Sequence, residues 1–173
     1  MEFPVTALWA DDSYRQCGGS ASRTRRSAGF LLAFFGLASE WERALVWSYF
    51  WIAVGSALGG VLRFLCSGLI AERIGEIFPW GTLVVNIVGS WIIGFFFTLT
   101  EPDGRLLVGT TARQFVMIGI CGGFTTFSSF SLQTLNLARD GDWLRASANI
   151  VASVFLCLVA VWLGHIAAAA LNR

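Results

Sequence analysis

The residues with the most chemical content lie in one uncharged run. Gly119-Ile120-Cys121-Gly122-Gly123-Phe124-Thr125-Thr126-Phe127-Ser128-Ser129-Phe130-Ser131 sits between Gln114 and Ala138, where there is no Asp, Glu, Lys or Arg. The run is long enough to cross a bilayer, yet its middle is wrong for a plain spanning helix. Paired glycines precede two threonines, and phenylalanines then alternate with serines. In hydrocarbon every backbone amide and carbonyl needs a partner. Gly-Gly and Thr-Thr at that depth mean either very close helix packing or a deliberate break. A break frees carbonyls and amides, which is tolerated only where protein or an aqueous path covers them. The chemistry on offer is hydrogen bonding and main-chain coordination, not acid–base work.

Further hydrogen-bonding groups fall in lines. Thr82, Asn86 and Ser90 stand at i, i+4 and i+8, on one helical face. Asn149, Ser153, Cys157 and, one repeat beyond Val161, His165 form a second line at the same spacing. Thr126, Ser129 and Gln133 form a third. Asn86 has two readings: an amide that bonds across a helix pair, or a donor that lines a pore. Phe127 and Phe130, at i and i+3, point in similar directions. Aromatic ring edges carry partial positive charge, so an edge can face a small anion that has lost water. Arg63 either raises the anion concentration near one mouth or snorkels to the headgroups.

Composition sets the class. The 173 residues are 55% hydrophobic and 13% charged, with mean hydropathy +0.67. Soluble domains carry about 25% charged residues, so this is an integral membrane protein. All twelve basic residues are Arg, and the net charge of +1 excludes the basic face of a nucleic-acid binder. Cys17, Cys66, Cys121 and Cys157 stand far apart and form no CxxC pair. They read as packing residues. One His and scattered carboxylates supply neither a metal cluster nor a nucleophile–base pair, so an enzyme is not expected.

Four spans must position these groups, at about 44–71, 81–99, 106–138 and 144–171. The first opens on an aromatic belt of Trp47, Tyr49, Phe50 and Trp51 and carries Gly55 and Gly59 for close helix contact. Residues 1–43 form an N-terminal extension, disordered or interfacial, to which no function is assigned. Phe30–Ala38 within it is too short to span. From Arg43 onward, Arg43, Arg105, Arg113 and Arg173 fall on one side and Arg73, Arg139 and Arg145 on the other. So even a distribution is expected of a small protein with few charged loops, or of a chain that inserts both ways and pairs with its inverted copy. The Arg-rich extension would favour an N-inside orientation.

Three segments resemble the Fluc fluoride channels, also called the CrcB family, small dual-topology membrane proteins of bacteria. They are Gly55-Ser56-Ala57-Leu58-Gly59-Gly60-Val61-Leu62-Arg63-Phe64, then Gly81-Thr82-Leu83-Val84-Val85-Asn86-Ile87-Val88-Gly89-Ser90, then Gly119 to Ser131. The likeness covers about residue 47 to the C-terminus. It implies an all-α integral membrane protein of four helices with the third broken, assembled as an antiparallel dimer in the bacterial inner membrane. It implies two fluoride pores and one central structural sodium ion, held here by the carbonyls of Gly122 and Thr125. Phe127 and Phe130 would line the pores and Asn86 would donate to fluoride. Ser128, Ser129 and Ser153 would join the polar track, with Thr82 and Arg63 toward a vestibule. One position departs from the pattern: family members often carry Glu where this chain has Gln133, which keeps hydrogen bonding without charge. The partner would be a second copy or a paralogous subunit.

The expected function is passive export of fluoride from the cytoplasm. A multidrug-type exporter is the first rival, but proton-coupled export of cations needs an intramembrane carboxylate, and no span contains one. A non-transporting membrane scaffold, with glycines and Asn86 serving packing alone, is the second.

Overall fold

In the computed structural model the backbone is described for residues 27–172 and side chains for residues 42–172. The chain divides into two units, Met1–Trp41 and Glu42–Arg173. In the first, residues 27–41 are helical; the rest of the expected extension lies outside the described residues. All the described elements are helices: α1 Ser27–Ile74, α2 Trp80–Leu99, α3 Thr110–Gln114, a π-helical turn pair Phe115–Cys121, α4 Gly122–Phe124, α5 Phe127–Arg139 and α6 Trp143–Asn172.

Four stretches are long and apolar enough to cross a membrane: Glu42–Ile74, Trp80–Leu99, Thr110–Arg139 and Trp143–Asn172. The first has 33 residues. At about 1.5 Å per residue it is longer than the roughly 30 Å hydrocarbon core, which leaves its belt and its Arg73 end for the interfaces. The third crossing is a chain of α3, the π turns, α4 and α5, so the expected interruption is there. The π segment was not foreseen.

Local chemistry sets the ends. Gly75 (φ +96°) stops α1, and Gly141 (φ +82°) stops α5. At the second stop the Gly141 amide donates to the Ala138 carbonyl (3.1 Å) and the Asp142 amide to that of Leu137 (2.9 Å). That is a Schellman closure, which requires a left-handed residue and so favours glycine. Asp142 then caps α6: its carboxylate accepts from the Arg145 amide at 3.1 Å and pairs with the Arg145 guanidinium at 2.5 Å. Two adjacent helices are thereby joined by a turn with its backbone groups satisfied.

Lipid tails are as apolar as leucine, so helices in a membrane associate by close packing rather than by escape from water. Small residues make that packing here. A Cβ on Gly55 would stand 2.7 Å from the Phe115 carbonyl oxygen, and one on Gly119 would stand 3.0 Å from the Gly55 Cα. On Gly59 it would collide with the Ile120 carbonyl, and on Gly123 it would press on the Ser56 backbone. α1 therefore lies directly against the π segment and α4. α2 and α6 pack along much of their length, with Gly94 against the Val161 carbonyl and Gly164 against that of Trp91. Polar ties finish the seam: Thr98 Oγ1 and His165 Nδ1 are 2.7 Å apart, and Asn172 donates to the Thr98 carbonyl at 2.9 Å.

Gly59 and its neighbour Gly60 separate packing from propensity, because a Cβ at Gly60 meets nothing within 4 Å. Gly59→Ala is expected to destabilise by about 1–3 kcal/mol through overpacking. Gly60→Ala is expected to be neutral or to gain up to about 1 kcal/mol from helix propensity. Thermal unfolding in detergent reads both; equal effects would remove the close-contact account.

Candidate functional site

The helix breaks because Thr125 and Thr126 both take extended backbone, at φ −82°, ψ 156° and φ −152°, ψ 115°. Thr126 opens α5 as its cap: the Ser129 amide donates to Thr126 Oγ1 at 3.2 Å. Thr125 ends the turn before it. Its amide and its hydroxyl both donate to the Cys121 carbonyl, each at 2.9 Å.

The break then needs a partner at membrane depth, and Asn86 supplies it. The Thr126 amide donates to Asn86 Oδ1 at 2.7 Å, and Asn86 Nδ2 donates to the Thr126 carbonyl at 3.0 Å. One side chain thus answers both backbone groups of one residue, as a strand neighbour would. An amide nitrogen carries two hydrogens. One goes to Thr126, and the other is left for the groove that Asn86 lines. The expected tie across the helix pair is present, and Asn86 also borders the groove. Gly89, one turn on, makes room for the Thr125 methyl, which a Cβ there would strike.

The break also uncovers carbonyls. In an unbroken helix the Gly122 carbonyl would receive the Thr126 amide, and that of Thr125 would receive the Ser129 amide. Those amides go to Asn86 and to the Thr126 hydroxyl instead. Gly122 is exposed, and both residues line a groove. Uncovered carbonyl oxygens suit a hard cation such as sodium. Among the described residues no three His, Cys, Asp or Glu side chains cluster, so main-chain oxygens would do the ligating.

Two cavities meet at Thr126. The inner groove, about 390 Å³, is lined by Asn86, Ser90, Thr126, Phe130 and Ser153, with Phe127 at its edge. The wider vestibule, about 910 Å³, is lined by Arg63, Thr82, Thr126, Ser129, Gln133 and Arg145. The Phe127 and Phe130 rings stand 5.1 Å apart. They differ in burial: Phe130 is 7% exposed and Phe127 76%. Phe130 belongs to the wall, and Phe127 faces outward.

The residues expected at the site therefore fall into two sets. Asn86, Phe127, Phe130 and Ser153 border the inner groove with Gly122 and Thr125. Arg63, Thr82 and Ser129 border the vestibule. Ser128 is in neither set; it is exposed, with its Oγ 3.1 Å from Thr126 Oγ1. The polar line on the fourth span splits as well. Asn149, 1% exposed, donates to Thr134 Oγ1 at 2.8 Å and ties α6 to α5, while Ser153 and Cys157 face the groove. The pair of hydrogen bonds from Asn86 gives the expected cross-helix tie its partner, the Thr126 backbone, which the sequence did not name. Gly89 had a sequence signal, being a small residue three positions after Asn86.

Four helices long and apolar enough to span, one of them broken beside a groove with no charged lining, define a multi-pass membrane protein. Residues 50–165 match the family described as CrcB-like protein, Camphor Resistance (CrcB). The chain is 72% identical over 124 residues to a fluoride-specific ion channel of Opitutus terrae, covering 72% of this chain and 94% of that one. It is 62% identical to one of Methylocella silvestris, covering 72% and 95%, and 61% identical to one of Paramagnetospirillum magneticum, covering 73% and 98%. The chain belongs to the CrcB family, a family of ion channels rather than enzymes.

Replacing Asn86 by Ala would leave the Thr126 amide and carbonyl without partners, at about 1–3 kcal/mol each. Hydrogen exchange at the Thr126 amide is expected to accelerate in Asn86→Ala. Asn86→Asp retains the acceptor and should protect that amide better than Ala. Unchanged exchange in Asn86→Ala would mean that the pair does not hold the break.

Proposed function

We propose that this protein is a passive, fluoride-selective channel that exports fluoride across the bacterial inner membrane. Two copies, inserted in opposite orientations, form the working unit, with a separate pore for each. The observation that carries the reading is the convergence of Asn86, Phe130, Ser153 and Thr126 on one uncharged groove, in a chain 72% identical to a fluoride-specific ion channel.

Fluoride is small and strongly hydrated, so a path must replace its water without holding it. Arg63 draws the anion into the vestibule, where Thr82, Ser129 and Gln133 offer neutral contacts. At Thr126 the path narrows into the inner groove. There the second hydrogen of Asn86 Nδ2 and the ring edges take over from water. The ties to Thr126 keep Asn86 aimed without any reorganisation as the ion passes. No carboxylate lines the groove, and no fixed cation lies deep enough to trap the ion, so release stays fast.

Phe127, outward-facing on one subunit, is placed to complete a ring pair across the interface with the inverted copy. Gly122 and Thr125 carbonyls, facing the same interface, would hold sodium, which adds fixed positive potential near the anion path. The Gln133 amide, whose Oε1 is buried without a partner, has no proton to exchange. A paralogous subunit in place of the second copy would preserve these contacts.

Purified protein in liposomes is expected to release fluoride and not chloride, and vesicles no leakier than empty ones would sink the reading. Phe130→Ile is expected to slow efflux by roughly tenfold, the rate equivalent of the ~1.4 kcal/mol at the top of the range for an aromatic contact. Phe127→Ile should act in the same direction. Wild-type efflux in both would remove the rings from the mechanism.

A further inference from the structure

Asn149 on α6 is 1% exposed, and it is bonded to the inner groove from behind. Its Nδ2 donates to Thr134 Oγ1 at 2.8 Å, and its Oδ1 accepts from Ser153 Oγ at 3.4 Å. Thr134 Oγ1 in turn donates to the Phe130 carbonyl at 2.8 Å. Ser153 and Phe130 line the groove, whereas Asn149 and Thr134 do not. The four residues form one chain of hydrogen bonds, with both ends at the groove wall. Proton count fixes its direction. A hydroxyl has one proton. The Phe130 carbonyl cannot donate, so the Thr134 proton is spent there. Thr134 Oγ1 must then accept, which turns the Asn149 nitrogen toward Thr134 and its oxygen toward Ser153. The Ser153 proton therefore points at Asn149 and away from the groove. At 3.4 Å that bond is far longer than the usual O–H···O distance of about 2.7–2.8 Å, and so it is weak.

We propose that Asn149 is a positioning residue for permeation: it parks the Ser153 hydroxyl while the groove is empty and yields it to an anion that enters. Rotation of the hydroxyl about Cβ–Oγ is the one movement required. A hydroxyl bond to an anion is shorter and roughly twice as strong as one between neutral groups, so the ion wins the proton from a stretched bond. When the ion leaves, the hydroxyl returns to Asn149, and no buried donor is left unpaired. A donor with a weak resting partner gives up little to meet the ion and recovers something on its departure. The consequence for transport rests on the groove being the fluoride path.

The Asn149 side-chain amide reports the bond directly. By NMR of the isotope-labelled full chain in detergent, its signal is identified by its loss in Asn149→Leu or, should that variant not fold, in Asn149→Ser. Sodium fluoride, titrated against sodium nitrate at equal ionic strength, is expected to shift the signal saturably as Oδ1 loses its donor. In Ser153→Ala without fluoride the signal is expected near the fluoride-bound position of the parent, and fluoride should not move it further. In liposomes, Thr134→Val is expected to slow fluoride efflux roughly fivefold, the rate equivalent of one ordinary hydrogen bond. Thr134→Ser, which keeps the hydroxyl, is expected to keep the rate. In a Ser153→Ala background Thr134→Val should slow efflux no further, because the two changes break one chain. A signal that fluoride leaves in place, or one that still moves in Ser153→Ala, would overturn the parking. Additive slowing in the double variant would overturn the role in permeation and leave a packing tie. A parent that releases no fluoride from liposomes would count against the channel reading, while the amide signal still decides the parking.

Discussion

The structure depends on satisfying one broken turn of backbone where there is no water to do it. Extended geometry at Thr125 and Thr126 removes helical hydrogen bonds in the middle of a spanning segment. Each group left bare there would cost several kcal/mol. The Asn86 amide meets the Thr126 amide and carbonyl at 2.7 and 3.0 Å, and the Thr126 hydroxyl caps the helix that resumes. Those bonds need α2 to run within a side chain's reach of the break. Gly89 permits it, since any larger residue would strike Thr125. On the opposite flank Gly55 and Gly59 press α1 against Gly119 and Gly123. The glycines are therefore spread over three spans but serve one place.

A break held this way divides the polar groups by role. The inward-facing ones are consumed: Thr126 by Asn86, Asn149 by Thr134, and the Thr134 hydroxyl by the Phe130 carbonyl at 2.8 Å. The last two bonds anchor the turn that carries Phe130, so the ring's position is set from behind. Other groups are left over because the break consumed their usual partners. The Gly122 and Thr125 carbonyls and the second Asn86 hydrogen are of this kind. Function at such a site is made from what folding does not use, and the residues that fold the break also aim the remainder.

Much of this was legible in sequence, for identifiable reasons. Spans announce themselves by length and lack of charge, but the start of α1 at Ser27, well ahead of the expected 44, was not legible that way. Gly-Gly followed by Thr-Thr marked the break because that pairing has no use in a plain lipid-exposed helix. The polar lines were legible as periodicity, but periodicity shows a shared face and not what the face meets. Asn149 and Ser153 sit one turn apart on α6, yet Asn149 is fully enclosed and Ser153 borders the groove. Ser128 and Ser129 are adjacent, yet Ser129 borders the vestibule and Ser128 is exposed beside neither cavity. The π segment was illegible because Phe115–Cys121 has the composition of any apolar helix.

Charge placement differs between the two cavities. Of the two cavities only the vestibule is lined by charged residues: Glu76, Asp140 and Asp142 with Arg63 and Arg145. The ion pair with Asp142 occupies Arg145, and it is the one ion pair among the described residues. Arg63 is left as the vestibule's cation with no carboxylate paired to it, about three turns before the helix ends at Ile74. Beyond Thr126 the lining is neutral. A full charge in that low-dielectric stretch would bind an anion by many kcal/mol, and conduction would fail for want of release. A neutral donor fixed in place by the backbone it supports can offset part of the lost hydration and no more. In the proposed channel Asn86 would offer such weak, directed contact, because its other atoms are committed to the broken helix.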